Sequence, residues 1–304
     1  MDKKRIALLI QEVNKKHGDG TIWTLGSKQG GEGIPRTPTG IEDLDKITGG
    51  GLPLGRLVEL YGPESSGKTS LAFHLAARYE LALFIDAEGT FDTERAKMFG
   101  NKKGQLLVRR PAWGEQAFEL LLQFAEAGCP LIIIDSVPAM IPRKEYEQDD
   151  MEKQTMGLVA GMLSRKLPKL AHVCDNSGTT VLFINQVRDT FNAMPWGEQT
   201  HTPGGRALKH YVSIRMQIAR KQWIKHEKLG NFGQICKVRI TKSKVCNPYG
   251  EAELPLILSK GFVRHEEVAT VRTEMLKELK AAGKDKLAEE EVQPETEVAE
   301  AVEE

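Results

Sequence analysis

Short apolar runs alternate with longer periodic segments through the first two thirds of the chain. Residues 56–61, 81–86, 131–135 and 180–185 are near-continuous in apolar side chains, which predicts strands buried on both faces. The segments at about 69–79, 92–99, 114–127 and 154–173 carry helical periodicity. Strands and helices in strict alternation predict a mostly parallel sheet covered on both sides, an α/β core. Segments 211–219, 234–241 and 253–258 read as an antiparallel extension of that sheet, and 265–282 as a helix. At the front, Ile6, Leu9, Ile10 and Val13 fall at i, i+3, i+4 and i+7 and predict a helix over 3–16. Gly18-Asp19-Gly20 ends it, a glycine-rich linker from Gly26 to Gly33 follows, and the core is expected to begin near Thr37 or Thr39. No internal repeat is visible.

Composition narrows the class. The 304 residues are 40% hydrophobic, enough for a sizeable core. No run approaches the ~20 apolar residues that cross a bilayer. The start, Met1-Asp2-Lys3-Lys4-Arg5-Ile6, leads into an amphipathic segment and not an apolar signal core, so a cytoplasmic protein is expected. Cys129, Cys174, Cys236 and Cys246 have no C-x-x-C spacing and read as reduced thiols. The net charge of zero hides an asymmetry. From Leu287 to Glu304 there are eight glutamates and no Lys or Arg, leaving 34 acidic against 42 basic residues before them. A basic body suits a polyanionic partner and equally an ordinary solvated surface. The glutamate-rich end is expected to be disordered and to compete with a polyanion for the body.

Gly62-Pro63-Glu64-Ser65-Ser66-Gly67-Lys68-Thr69 fits G-x-x-x-x-G-K-[ST]. The glycines let the backbone curl so that several N–H groups face one phosphate chain. Lys68 reaches the β- and γ-phosphates, and the Thr69 hydroxyl goes to Mg²⁺. A buried strand precedes the loop, and a helix follows whose N-terminus favours an anion.

Ligands of open parallel sheets sit at the carboxyl ends of the strands. Asp135 ends the isoleucine-rich strand and fits either a Mg²⁺-side carboxylate or a helix N-cap. Glu88 fits a carboxylate that orients or deprotonates an attacking water, or a surface turn. Gln186 fits a γ-phosphate sensor or a satisfied buried amide.

Together these residues resemble the RecA family of recombinases. The resemblance rests on Val58 to Thr69, Phe84-Ile85-Asp86-Ala87-Glu88, Ile134-Asp135-Ser136-Val137, Phe183-Ile184-Asn185-Gln186-Val187-Arg188, Gly204-Gly205-Arg206-Ala207-Leu208-Lys209 and Lys242-Ser243-Lys244. It runs in order from about residue 3 to residue 262. It implies a RecA-like P-loop ATPase core with an N-terminal helix arm and a short helical C-terminal extension. The implied boundaries are 1–36 for the oligomerisation helix and linker, 37–262 for the core, 263–286 for a helix and 287–304 for the acidic tail.

The resemblance implies an ATP-dependent recombinase that forms a helical filament on single-stranded DNA and pairs it with duplex DNA, using ATP and Mg²⁺. Other motors of the superfamily, RadA-like or helicase, and a non-hydrolysing scaffold are the alternatives. Glu88 becomes the hydrolytic carboxylate, Lys68, Thr69 and Asp135 handle phosphate and Mg²⁺, and Gln186 couples the γ-phosphate to DNA. The nucleotide contacts implied are Gly62, Pro63, Glu64, Ser65, Ser66, Gly67, Lys68, Thr69, Ser70, Asp92 and Arg95. Lys242 and Lys244, by themselves a basic strand edge, would reach the neighbouring subunit's ATP. The N-terminal helix would dock on a neighbouring core. Single-strand-binding or mediator proteins are further partners.

Two long aperiodic stretches match the family's DNA loops. The first, 142–155, carries Arg143; the second, 188–205, carries Arg188, Met194, Trp196, Gly204 and Gly205, with Lys209 in the helix beyond. Trp196 fits a wedge between bases or an anchor that folds the loop. Arg95 stands where relatives carry an aromatic residue stacked on adenine, and His210 where bacterial relatives carry Phe. About forty residues follow Phe262, room for a helix and tail but not for the compact C-terminal domain of typical bacterial relatives. A phage-encoded or otherwise shortened recombinase is therefore the expected source.

Overall fold

The computed structural model describes residues 2–18, 21–22, 33–147, 157–189 and 200–281. The described chain forms two units, residues 1–36 and 37–304.

The first unit is built on helix α1, Lys3–His17. Asp2 caps it by accepting from the Lys4 and Arg5 N–H groups, and Gly18 closes it at φ 109°. No residue of α1 is buried, and Ile6, Leu8 and Leu9 are exposed.

The second unit is organised by a nine-stranded sheet. Its strands are β1 (Leu57–Gly62), β2 (Ala82–Asp86), β3 (Leu106–Arg109), β4 (Leu131–Asp135), β5 (Thr180–Gln186), β6 (Ile214–His226), β7 (Gly230–Ser243), β8 (Glu251–Ile257) and β9 (Gly261–Phe262). The order is β9-β8-β7-β6-β1-β5-β4-β2-β3. The six strands from β6 to β3 run parallel. Strands β7, β8 and β9 add antiparallel. The helices of this unit are α2 (Glu42–Thr48), α3 (Lys68–Ala76), α4 (Thr93–Met98), α5 (Gly114–Glu126), α6 (Arg143–Tyr146), α7 (Leu158–Ser177), α8 (Gly205–Tyr211) and α9 (Glu267–Ala281).

Successive residues of the central strands point to opposite faces. Val58, Leu60, Ile133, Leu182 and Ile184 pack under α2, α3 and α4. Leu57, Ile132, Ile134, Val181 and Phe183 pack under α5, α7 and α8. Both faces therefore need apolar side chains, and burying each large one contributes about 1.5–3 kcal/mol.

Three expectations are corrected. Strand β3 was missed, because on the sheet edge Leu107 and Val108 are more than a third exposed and the apolar run is too short to stand out. The segment at 211–219 is not one strand: α8 ends at Tyr211 and β6 begins at Ile214. The β6–β7 hairpin is longer than its apolar core, since its outer half, paired from Arg220 to His226, is mostly exposed on β6, with Ile224 partly buried against Phe232, Ile257 and Val271.

Candidate nucleotide and DNA site

The chemistry-bearing residues gather at the carboxyl ends of the parallel strands. Register sets this directly: Gly62 at the end of β1 lies beside Gln186 at the end of β5, and Asp86 beside Asp135.

The loop from Gly62 to Gly67 is shaped by close approaches. A Cβ on Gly62 would come within 1.9 Å of the Ile218 carbonyl oxygen. Gly67 caps α3 at φ 99°, a left-handed conformation that favours glycine, and no side chain caps that helix end. The N–H groups of the first turn are thus left for a ligand. Ser66 Oγ is buried with no hydrogen-bond partner among the described residues. A buried orphan hydroxyl beside an uncapped helix N-terminus fits a phosphate group. Lys68 Nζ donates to the carbonyls of Gly62 (2.9 Å) and Pro63 (2.7 Å). Burial lowers its pKa, against the pull of Asp135, Glu88 and Glu64.

Thr69 Oγ1 donates to Asp135 Oδ2 at 2.8 Å. Burial pushes the Asp135 carboxyl up to about 6; the Thr69 bond and Lys68 oppose this, while Glu88 and Asp86 add to it. The capping alternative for Asp135 does not apply, since Ser136 is the N-cap of the 3₁₀ turn Val137–Ala139. A hydroxyl and a carboxylate in contact beside the phosphate loop fit a Mg²⁺ ion that takes its other ligands from phosphate and water.

Glu88 is exposed, but its turn is fixed from below. The N–H groups of Ala87 and Glu88 donate to the Asp135 carbonyl, at 2.7 and 3.1 Å. Asp86 accepts from the N–H groups of Thr90 and Phe91 and from Arg110 Nε. Glu88 Oε1 accepts from Ser136 Oγ and, at 2.9 Å, from Gln186 Nε2.

A cavity of about 430 Å³ continues from residues 65–70 to Phe73, Thr90, Asp92, Arg95, Trp223, Gln234, Leu256 and Leu258. Asp92 also caps α4 by accepting from the Glu94 and Arg95 N–H groups, and Arg95 Nη2 donates to Ser70 Oγ at 2.9 Å. Trp223, Gln234, Leu256 and Leu258 were not singled out in the sequence. They come from β6, β7, β8 and the residue after β8, some 160 residues or more along the chain, and the one signal was a tryptophan in a stretch of β6 rich in basic residues.

Lys242 and Lys244 lie outside this cavity. Lys242 Nζ donates to the carbonyls of Lys209, His210 and Val212, and Lys244 Nζ to His210 at 2.7 Å. Both cap the C-terminal end of α8, where cations are favoured.

The family model described as the RecA N-terminal domain matches residues 4–263. The chain belongs to the RecA family. It is 39% identical to Protein RecA of Campylobacter fetus over 274 residues, 88% of this chain and 78% of the relative. It is 40% identical to Protein RecA of Mycobacterium ulcerans over 268 residues, covering 86% and 76%. Protein RecA of Helicobacter acinonychis matches at 39% over 272 residues, covering 88% and 78%. These RecA relatives support a recombinase that binds ATP and DNA, and do not favour a RadA-like motor, a helicase or a scaffold. They are bacterial and lend no support to a phage source. No helix among the described residues is long and apolar enough to cross a membrane.

The DNA-loop residues expected from the RecA resemblance divide. Met194 and Trp196 lie outside the described residues, as does the acidic tail. Arg143 starts α6, where its Nε donates to Glu147 Oε1 at 2.7 Å and its guanidinium sits 4.9 Å from the Trp113 ring. Arg188 is exposed in a two-residue strand, Arg188–Asp189, paired with Thr200–His201. Gly204 and Gly205 start α8 against α7: a Cβ on Gly205 would come 2.8 Å from the Ala160 Cβ. Lys209 lies in α8, and its carbonyl accepts from Lys242.

Proposed function

We propose that this RecA family member is a DNA-dependent ATPase whose hydrolysis cycle drives filament formation on single-stranded DNA and strand exchange with a homologous duplex. The observation that carries this reading is the Gln186–Glu88 hydrogen bond beside the Thr69–Asp135 pair. A hydrolytic carboxylate, a neutral amide and a metal-binding pair converge at strand ends next to a phosphate loop.

In this reading Ser66, the α3 N-terminus and Lys68 hold the triphosphate, and Arg95 and Asp92 flank the base. Bound through Thr69 and Asp135, Mg²⁺ supplies charge neutralisation at the phosphates. Glu88 orients a water and takes its proton as the water oxygen bonds to the γ-phosphorus and the bond to the β-phosphate oxygen breaks. Gln186 exchanges Glu88 for the γ-phosphate, and the second loop, which begins just beyond it, responds with Arg188, Met194, Trp196, Gly204, Gly205 and Lys209 on DNA. Arg143 serves the first loop. Lys242 and Lys244 leave the α8 end for the ATP of the neighbouring subunit. We assign residues 1–36 to oligomerisation, 37–262 to the core, 263–286 to a terminal helix and 287–304 to an acidic tail. Single-strand-binding or mediator proteins belong to the same proposal.

Measuring ATP turnover with and without single-stranded DNA tests it. Stimulation by DNA is expected; turnover indifferent to DNA would sink the recombinase cycle.

A further inference from the structure

A buried ion pair lies one layer beneath the nucleotide site. Glu59 of β1 and Arg215 of β6 are register partners. Glu59 is fully buried and the Arg215 side chain is 13% exposed. Arg215 Nε donates to Glu59 Oε2, and the guanidinium stacks on the Tyr61 ring at 4.5 Å. A buried charge pair of this kind is weak evidence for stability, because desolvation offsets much of its attraction.

What else the pair touches gives it a use. Glu59 accepts at its other oxygen from Asn185 Nδ2 at 2.8 Å. Asn185 Nδ2 also donates to the Pro203 carbonyl at 2.9 Å, and Asn185 Oδ1 accepts from the Gln186 N–H at 2.9 Å. Arg215 Nη2 donates to Thr202 Oγ1 at 3.1 Å. Thr202 and Pro203 form the returning end of the second loop, directly before α8. One buried pair therefore holds the strand that leads into the phosphate loop, the backbone of Gln186 and the base of the second loop.

We infer that Arg215 is a positioning residue: its fork, held by Glu59, docks Thr202 so that the state of Gln186 reaches the second loop. The inference rests on the function proposed above. Arginine suits the task because its rigid planar fork fixes the directions of Nε toward Glu59 and Nη2 toward Thr202, whereas the lysine ammonium is a point charge on a flexible stem with no fixed fork.

The test uses the full chain and reads ATP turnover against single-stranded DNA concentration. Thr202→Val keeps the shape and removes only the hydroxyl that accepts from Arg215. It should raise the DNA concentration for half-maximal stimulation about tenfold, the scale of one lost charge-assisted hydrogen bond. DNA-free turnover should stay within about twofold. Arg215→Lys should do the same, and Thr202→Ser should restore the wild-type curve. A wild-type DNA response in Thr202→Val overturns the inference, and so does an equal fall of DNA-free and DNA-stimulated turnover. If the wild-type protein itself shows no stimulation, the proposed function fails and this inference with it; stimulation in the wild type with an unaltered Thr202→Val curve fails the inference alone.

Discussion

Gln186 and Glu88, carried at the ends of two strands, are joined directly: Gln186 Nε2 donates to Glu88 Oε1 at 2.9 Å. Strand β4 lies between β5 and β2 in the sheet, so the bond crosses above Asp135. The group that would activate water and the group that would sense the γ-phosphate are each other's partner, and phosphate must compete for the amide.

Glu88→Gln keeps the side-chain shape and removes the base. Turnover should fall at least about 100-fold, the usual worth of general base catalysis, while nucleotide affinity changes little. Filaments on DNA should last longer because ATP persists. Rapid-quench turnover and a nucleotide-binding titration check both halves; undiminished turnover would reduce Glu88 to a turn residue.

Lys68 spends its charge on the carbonyls of Gly62 and Pro63, neutral groups that a triphosphate would outcompete. Lys68→Ala should lower turnover by roughly 100–1,000-fold, as loss of a transition-state charge contact does. The fold should survive, because Lys68 is part-exposed and holds no apolar contact in either core. Circular dichroism beside the turnover measurement separates the two effects, and near-normal hydrolysis would refute the phosphate-loop assignment.

The parallel core was readable because a strand buried on both faces has to be apolar throughout, as Leu131 to Ile134 are. The phosphate loop was readable because its glycines, lysine and threonine stand in one contiguous spacing, Gly62 to Thr69, although the Ile218 carbonyl that Gly62 makes room for lies far along the chain. Strand β3 was not readable, since an edge strand with Leu107 and Val108 exposed needs no continuous pattern. The distal cavity wall was hidden for another reason. Trp223, Gln234 and Leu256 are brought to the loop by sheet order, and no local spacing encodes a contact between strands so far apart in the chain. Glu59 was hidden by its partner: a buried acid in an apolar strand makes sense only with Arg215 beside it.

Trp223 gives the distal cavity a test. Among the described residues the other aromatic lining it is Phe73, and Arg220 lies 4.2 Å from the Trp223 ring centre, leaving a face for a base. Trp223→Leu should weaken ATP binding about tenfold, in line with the ~1–3 kcal/mol of an aromatic–base stack. Binding of inorganic triphosphate, which lacks a base, should not change. Equal loss for both ligands would mean that the tryptophan shapes the hairpin rather than meeting the base.

His74 links the fold to pH from the core side of α3. Burial lowers its pKa from 6.5 to about 4; Arg78 adds to the shift, while the Thr39 carbonyl and Asp45 oppose it. Its Nε2 lies 3.0 Å from the Thr39 carbonyl, so the neutral ring donates there. Between pH 6.5 and 4 the unfolded chain binds a proton at this residue and the folded chain does not. Stability at this site is therefore complete at pH 7 and is lost as pH falls through that window. At pH 5 the loss amounts to about 2 kcal/mol, from 1.36 kcal/mol per unit. His74→Gln keeps an N–H for the carbonyl and removes the titration. Urea unfolding at pH 7 and pH 5 should show the wild type losing about 2 kcal/mol more than this variant. Asp135, pushed up to about 6, works in the opposite direction, but it is present in both proteins and cancels in the difference. Equal losses would mean that the ring is protonated in the folded core, and that Asp45 outweighs burial.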